Sequence, residues 1–93
     1  MKVQNMTSNS TGREIANQFE IIDDNGAVFF QSYNSIIVKK EYKDGHRVIT
    51  LDEYYWDYSK TTGKYRNQFL GETKKETEAK IKSGVYILAN LNS

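Results

Sequence analysis

Apolar and polar residues alternate singly along much of the chain, and a period of two is the signature of half-buried strands. From Asn17 to Asp23, Phe19 and Ile21 share one side while Gln18 and Glu20 share the other, and Ala27 to Ser32 continues in the same manner. Asp24-Asn25-Gly26-Ala27 joins the two stretches, and its Asn-Gly pair tolerates the positive φ of a tight hairpin turn. Counting outward from that turn sets Ile21 opposite Phe30 and Phe19 opposite Ser32. Asp44-Gly45 repeats the signal between SIIVKKEY and HRVITLDE, pairing Tyr42 with Arg47, Lys40 with Ile49 and Val38 with Leu51. Because only Tyr33 and Asn34 separate the second strand from the third, the pattern predicts a four-stranded antiparallel meander.

Farther along, Thr73-Lys74-Lys75-Glu76 has the form of a capping box and predicts a helix that Gly84 closes. Glu76 with Lys80 and Glu78 with Lys82 are spaced to pair along it, and Ala79 and Ile81 are its only apolar residues. Val85 to Leu91 alternates again and predicts a closing strand. The expected fold is therefore a small single α+β domain in the order β-β-β-β-α-β. Residues 1 to 13 are polar and without periodicity, so they are expected to form a mobile polar arm ahead of a domain spanning 14–93. Ser59 to Gly63 reads as a polar loop.

At 93 residues the chain has material for one core, and an apolar fraction of 38% with 27% charged residues is the composition of a folded domain. A mean hydropathy of -0.73, with no long apolar run, predicts no membrane span, and the polar start MKVQNMTSNST leads to the expectation of a cytoplasmic protein. Without cysteine there is no disulfide, thiolate metal site or cysteine nucleophile. The net charge of +1 conceals an asymmetry: residues 1 to 58 hold 6 basic and 9 acidic groups, whereas residues 59 to 93 hold 7 basic and 3 acidic. Such a split prepares one region for an anionic partner unless the fold interleaves the two halves.

The inventory for catalysis is thin. His46 is the sole histidine and lies beside a turn, so no common zinc set exists and neither metal nor cofactor is expected. Asp23-Asp24-Asn25-Gly26 lacks the preceding oxygen ligand of a calcium loop, because that position is Ile21. Thr61-Thr62-Gly63-Lys64 lacks the leading glycine of a phosphate-binding loop, Tyr58 standing there, and Tyr65 replaces the hydroxyl residue after the lysine. Asp52, Glu53 and Asp57 are close in sequence, without any sign that they converge as a catalytic pair. A non-enzymatic role is the expectation.

The densest aromatic stretch, Asp52 to Gly71, sets Tyr54, Tyr55, Trp56, Tyr58 and Tyr65 among Lys60, Lys64 and Arg66. Tyr and Trp supply large, stiff contact area for another protein, and aromatics mixed with Lys and Arg also stack bases and neutralise phosphates. Ordinary core packing competes with both, since alternation would bury Tyr55 on the Ile49 and Leu51 side and turn Tyr54 and Trp56 away. No acid lies between Lys60 and Arg66, so Lys60, Lys64 and Arg66 are expected to face solvent and to contribute little to folding. The candidate contact set is Tyr54, Trp56, Tyr58, Lys60, Lys64, Tyr65 and Arg66.

The segments ANQFEI, FFQSYNSIIV, YYWDYSKTTGKYRNQFLGE and KIKSGVYILANLN resemble a family of short bacteriophage and prophage proteins catalogued as a domain of unknown function. The resemblance spans roughly Thr7 to Asn92 and implies a viral or mobile-element origin, with no activity, cofactor or catalytic residue attached. Short phage proteins often bind host factors, anti-CRISPR and other anti-defence inhibitors among them, so docking on a host or phage protein is the first expectation. The rival is a nucleic-acid module in which Lys60, Lys64, Arg66, Lys74 and Lys75 hold phosphates while Trp56 or Tyr58 stacks a base. Either reading is compatible with a homodimer.

Overall fold

The computed structural model describes residues 1–93. Six strands and two helices follow in the order β1 (Lys2–Thr7), β2 (Glu14–Ile22), β3 (Val28–Ser32), β4 (Ser35–Lys43), β5 (His46–Asp52), α1 (Lys60–Leu70), α2 (Lys74–Lys82) and β6 (Ile87–Ala89). The strands form one sheet in sequence order, antiparallel from β1 to β5, with β6 added parallel to β5. A parallel neighbour requires a crossover, which α1 and α2 supply.

The α+β class and the single sheet agree with the sequence pattern, and two elements depart from the expected order. The segment read as a polar arm contributes β1, which pairs Lys2 with Ile22 and Gln4 with Glu20 and buries Met6. An edge strand needs few apolar residues, because main-chain hydrogen bonds to β2 hold it. The polar loop expected over Ser59 to Gly63 is instead the cap and first turn of α1. Ser59 Oγ accepts from the Thr62 amide, and Gly71 at φ 69 ends the helix by donating to Asn67 O.

Register follows turn chemistry. Asp44 and Gly45 both take positive φ, 52 and 78, and give the expected pairs Tyr42 with Arg47, Lys40 with Ile49 and Val38 with Leu51. At the first hairpin only Gly26 does so, at φ 86, because Asp23 Oδ1 accepts from the amides of Asn25 and Ala27 at 2.9 Å and draws the loop one residue longer. The expected pairing of Ile21 with Phe30 is thereby corrected to Ile21 with Phe29 and Glu20 with Phe30. A shift of one residue exchanges the two faces. One row across the sheet is Glu20, Phe30, Val38, Leu51 and Leu88, and the next row, on the opposite face, is Ile21, Phe29, Lys39, Thr50 and Ile87. Replacing Gly26 or Gly45 by valine is expected to lower stability by about 1 kcal/mol or more, since a β-branched residue is strained at positive φ. Thermal melts of the two variants at the wild-type temperature would contradict the turn assignments.

Both helices cover the Phe30 face. The rings of Phe30 and Phe69 stack at 5.7 Å, and the core comprises Met6, Phe30, Ile37, Val38, Ile49, Leu51, Phe69 and Tyr86. Ile37 and Val38 are both buried because a bulge between the Phe30 and Gln31 pairings inserts Ile37. On α2 the capping box forms as expected between Thr73 and Glu76. The expected i,i+4 pairs do not: Lys80 instead donates to Glu72 at 2.7 Å, and Lys74 lies 3.9 Å from Glu78. Glu72 also accepts from the hydroxyls of Thr77 and Tyr86. Burial pushes its pKa up, and the bonds from Lys80, Thr77 and Tyr86 outweigh burial and hold it below the usual value.

Candidate functional site: a tyrosine cleft beside a basic hollow

Asp52 ends β5 with its side chain buried and organises the aromatic segment that follows. Its Oδ2 accepts from the amides of Tyr54 at 3.0 Å and Tyr55 at 2.8 Å, while Oδ1 accepts from the Leu91 amide at 2.9 Å. Burial raises the Asp52 pKa, but the bonds from Leu91, Tyr55, Asn92 and Tyr54 together lower it below the ordinary carboxylate range. One carboxylate thus fixes both the tyrosine turn and the C-terminal strand exit.

The turn sorts the aromatic residues by depth. Tyr55 packs partly against the core and carries Tyr54 and Tyr58 edge-on to its ring, at centroid distances of 5.1 and 5.5 Å. Tyr54 is 79% exposed and Tyr58 67%. Tyr33 joins them from the β3–β4 turn, 51% exposed and held at φ 54 with its amide donating 2.7 Å to Asn17 O. A tyrosine at positive φ is uncommon, and here it sets the ring at the lip of a cleft of about 380 Å³ lined also by Tyr55, Tyr58 and Ile37. Tyr33 was not among the candidates because only the fold brings its turn to the Asp52 to Ser59 segment.

Trp56, Tyr65 and Arg66 are placed inward, contrary to the expected contact set. Trp56 and Tyr65 are partly buried and pack against the core. Arg66 is fully buried at 0% exposure, although it was expected to face solvent. Its Nη1 donates to Trp56 O at 2.7 Å and to Asp57 Oδ1 at 3.2 Å, its Nη2 donates to Asn67 Oδ1 at 3.0 Å, and its Nε has no partner. The guanidinium also lies 5.4 Å from the centre of the Trp56 ring. The acid that local sequence seemed to lack is Asp57, brought back across the first turns of α1. Asp57 also accepts a bond from Lys74 at 2.8 Å. Burial raises the Asp57 pKa, and Lys74 and Arg66 outweigh it to leave the value low, while Asp57 in turn raises that of Lys74.

Lys60 and Lys64 remain exposed as expected, and neither is ion-paired. Lys64 lies 5.3 Å from the Tyr65 ring centre. Together with Lys74 they surround a second hollow whose lining holds no apolar residue. The site therefore has two parts near the start of α1: the cleft lined by Tyr33, Tyr55 and Tyr58, with Tyr54 exposed on the edge of the Tyr55 ring, and the basic hollow.

Fold and surface together define a small α+β domain, one sheet half-covered by two helices, that presents aromatic and basic side chains around one helix start. The chain belongs to the family of unknown function DUF8033, whose family model matches residues 1–84. No curated protein and no solved structure matches the chain. No helix is long and apolar enough to cross a membrane.

Proposed function

We propose that this chain is a small non-enzymatic binding protein of bacteriophage or prophage type, acting in the bacterial cytoplasm. It docks on a host or phage protein through the tyrosine cleft, in the manner of an anti-defence inhibitor. The observation that carries the reading is the meeting of Tyr33 and Tyr58 with the partly buried Tyr55 at one cleft, Tyr54 standing edge-on to the same Tyr55 ring, with Tyr33, Tyr54 and Tyr58 each at least half exposed. Rigid, amphipathic rings clustered about a hollow are the composition of interface anchors. The unpaired Lys60 and Lys64 beyond Tyr58 select a partner whose contacting surface is acidic, because opposite charge speeds encounter and fixes orientation. The same lysines support the rival reading, a nucleic acid lying across both parts of the site.

Capture from a nuclease-treated bacterial lysate by the wild type, beside a Tyr54→Ala/Tyr58→Ala variant, tests the proposal. Neither ring is buried, and only their edge-on contacts to Tyr55 are lost, so the variant is expected to stay folded at a cost of about 1 to 2 kcal/mol. Loss of the captured protein from the folded variant is the expected result, with only modest dependence of wild-type binding on salt. A nucleic acid would show itself by nuclease sensitivity and by a steep loss of affinity with salt.

A further inference from the structure

The basic hollow carries more positive charge than its own acid can neutralise. Lys60, Lys64, Arg66 and Lys74 line it with Asp57 as the single carboxylate, a local charge of +3. Asp57 is shared between Lys74 and Arg66, which leaves Lys60 and Lys64 facing the space with no counter-charge. Cations gathered in one concavity repel one another, and an anion between them removes that repulsion.

Three further observations point to a bound group. First, Arg66 is wholly buried under the hollow with its Nε unpartnered, so a fixed positive charge lies beneath the site rather than swinging in solvent. Second, Gly63 stands inside α1, where glycine costs about 1 kcal/mol relative to alanine. A Cβ at Gly63 would lie 3.6 Å from Arg66 Nη2, an ordinary contact, so packing does not demand glycine. Its effect is to leave the space above the guanidinium open. Third, α1 has no acidic residue in its first turn, so the positive end of its dipole adds to the cations, with Asp57 ahead of the cap as the one opposing charge.

We propose that this hollow binds one phosphate group in its dianionic form, as the free ion or as the monoester of a small molecule. Two negative charges match the two unpaired lysines, and a phosphate offers three strong acceptor oxygens to their ammonium groups. A single group is favoured over a polyanion because the cations gather around one hollow while the whole chain is nearly neutral at +1. The hollow shares no lining residue with the tyrosine cleft, so phosphate binding does not require the cleft to dock a protein, although an acidic partner would compete with phosphate for Lys60 and Lys64.

The test is an NMR titration of the full chain at low salt with inorganic phosphate, with O-phosphoserine as the monoester arm and a short single-stranded oligonucleotide as the polyanion arm. Saturable shifts at the amides of Lys60 to Lys64 are expected, with affinity falling as the pH is taken below about 6, where the second phosphate proton binds. Tighter binding of phosphoserine identifies the monoester, and tighter binding of phosphate identifies the free ion. Lys60→Ala/Lys64→Ala should weaken binding about tenfold or more, through loss of the charge-assisted bonds. Gly63→Ala should melt at or above the wild-type temperature and yet bind more weakly, an outcome that a purely structural glycine would not give. Absence of shifts at those amides, unchanged affinity in either folded variant, or an oligonucleotide bound more tightly than both phosphates with a steep salt dependence would overturn the assignment.

Discussion

Arg66→Ala is expected to destabilise the domain by about 3 to 4 kcal/mol, a large share of the stability of so small a fold. The estimate joins two losses. The Trp56 carbonyl and the Asn67 side chain lose their donor, and an unsatisfied buried acceptor costs about 1 to 3 kcal/mol. The vacated volume of a side chain at 0% exposure adds a cavity beneath Trp56 and Gly63. Asp57 keeps its bond to Lys74, which lessens the charge penalty. Arg66→Lys should recover only part of the loss, because an ammonium cannot serve carbonyl, carboxylate and amide together in the planar spread that the guanidinium uses. Urea unfolding of both variants measures the effect. A midpoint for Arg66→Ala equal to that of the wild type would mean that the side chain lies outside, where local sequence had put it.

Asp52→Ala is expected to cost about 2 to 3 kcal/mol, since the amides of Tyr54, Tyr55 and Leu91 all lose their acceptor in a partly buried setting. The same carboxylate makes stability pH-dependent. Its pKa is lowered in the folded chain, as are those of Asp57 and Glu72, so the unfolded chain binds protons more readily. That stability is present above the ordinary carboxylate values of about 4 and is lost as the pH falls through the lower folded values. Thermal melts between about pH 3 and 7 should therefore drop steeply at the acid end, and less steeply in Asp52→Asn. Equal slopes for the wild type and Asp52→Asn would remove Asp52 from this account.

What the sequence disclosed was what local chemistry determines. Asp44-Gly45 and the Thr73 capping box carry their geometry in adjacent residues, and both form as expected. Asn25-Gly26 misled by one residue because the decisive group was the Asp23 carboxylate outside the pair. Strand β1 was hidden because its pairing with β2 is a main-chain interaction across the sheet that needs only Met6 to be apolar and buried. Helix α1 was hidden because its buried Thr62, Arg66 and Phe69, with Tyr65 partly buried beside them, have helical spacing but polar members. That spacing, framed by Ser59 and Gly71, was the signal available. The same concealment misplaced Arg66, since a buried cation is legible only with its acceptors. The exposure of Tyr54, Tyr58, Lys60 and Lys64 was legible from their polar or amphipathic side chains, whereas Tyr33 became part of the cleft only through the fold.

The central claim, that exposed tyrosines bind a protein while the inward Arg66 cluster holds the fold, meets its most direct test in one comparison. A purified partner is titrated calorimetrically with the wild type and with Tyr54→Ala/Tyr58→Ala. The account predicts a variant that stays folded, having lost only the edge-on contacts to Tyr55, and that binds about 100-fold more weakly, the effect of losing two interface anchors. Wild-type affinity in the folded variant would contradict it.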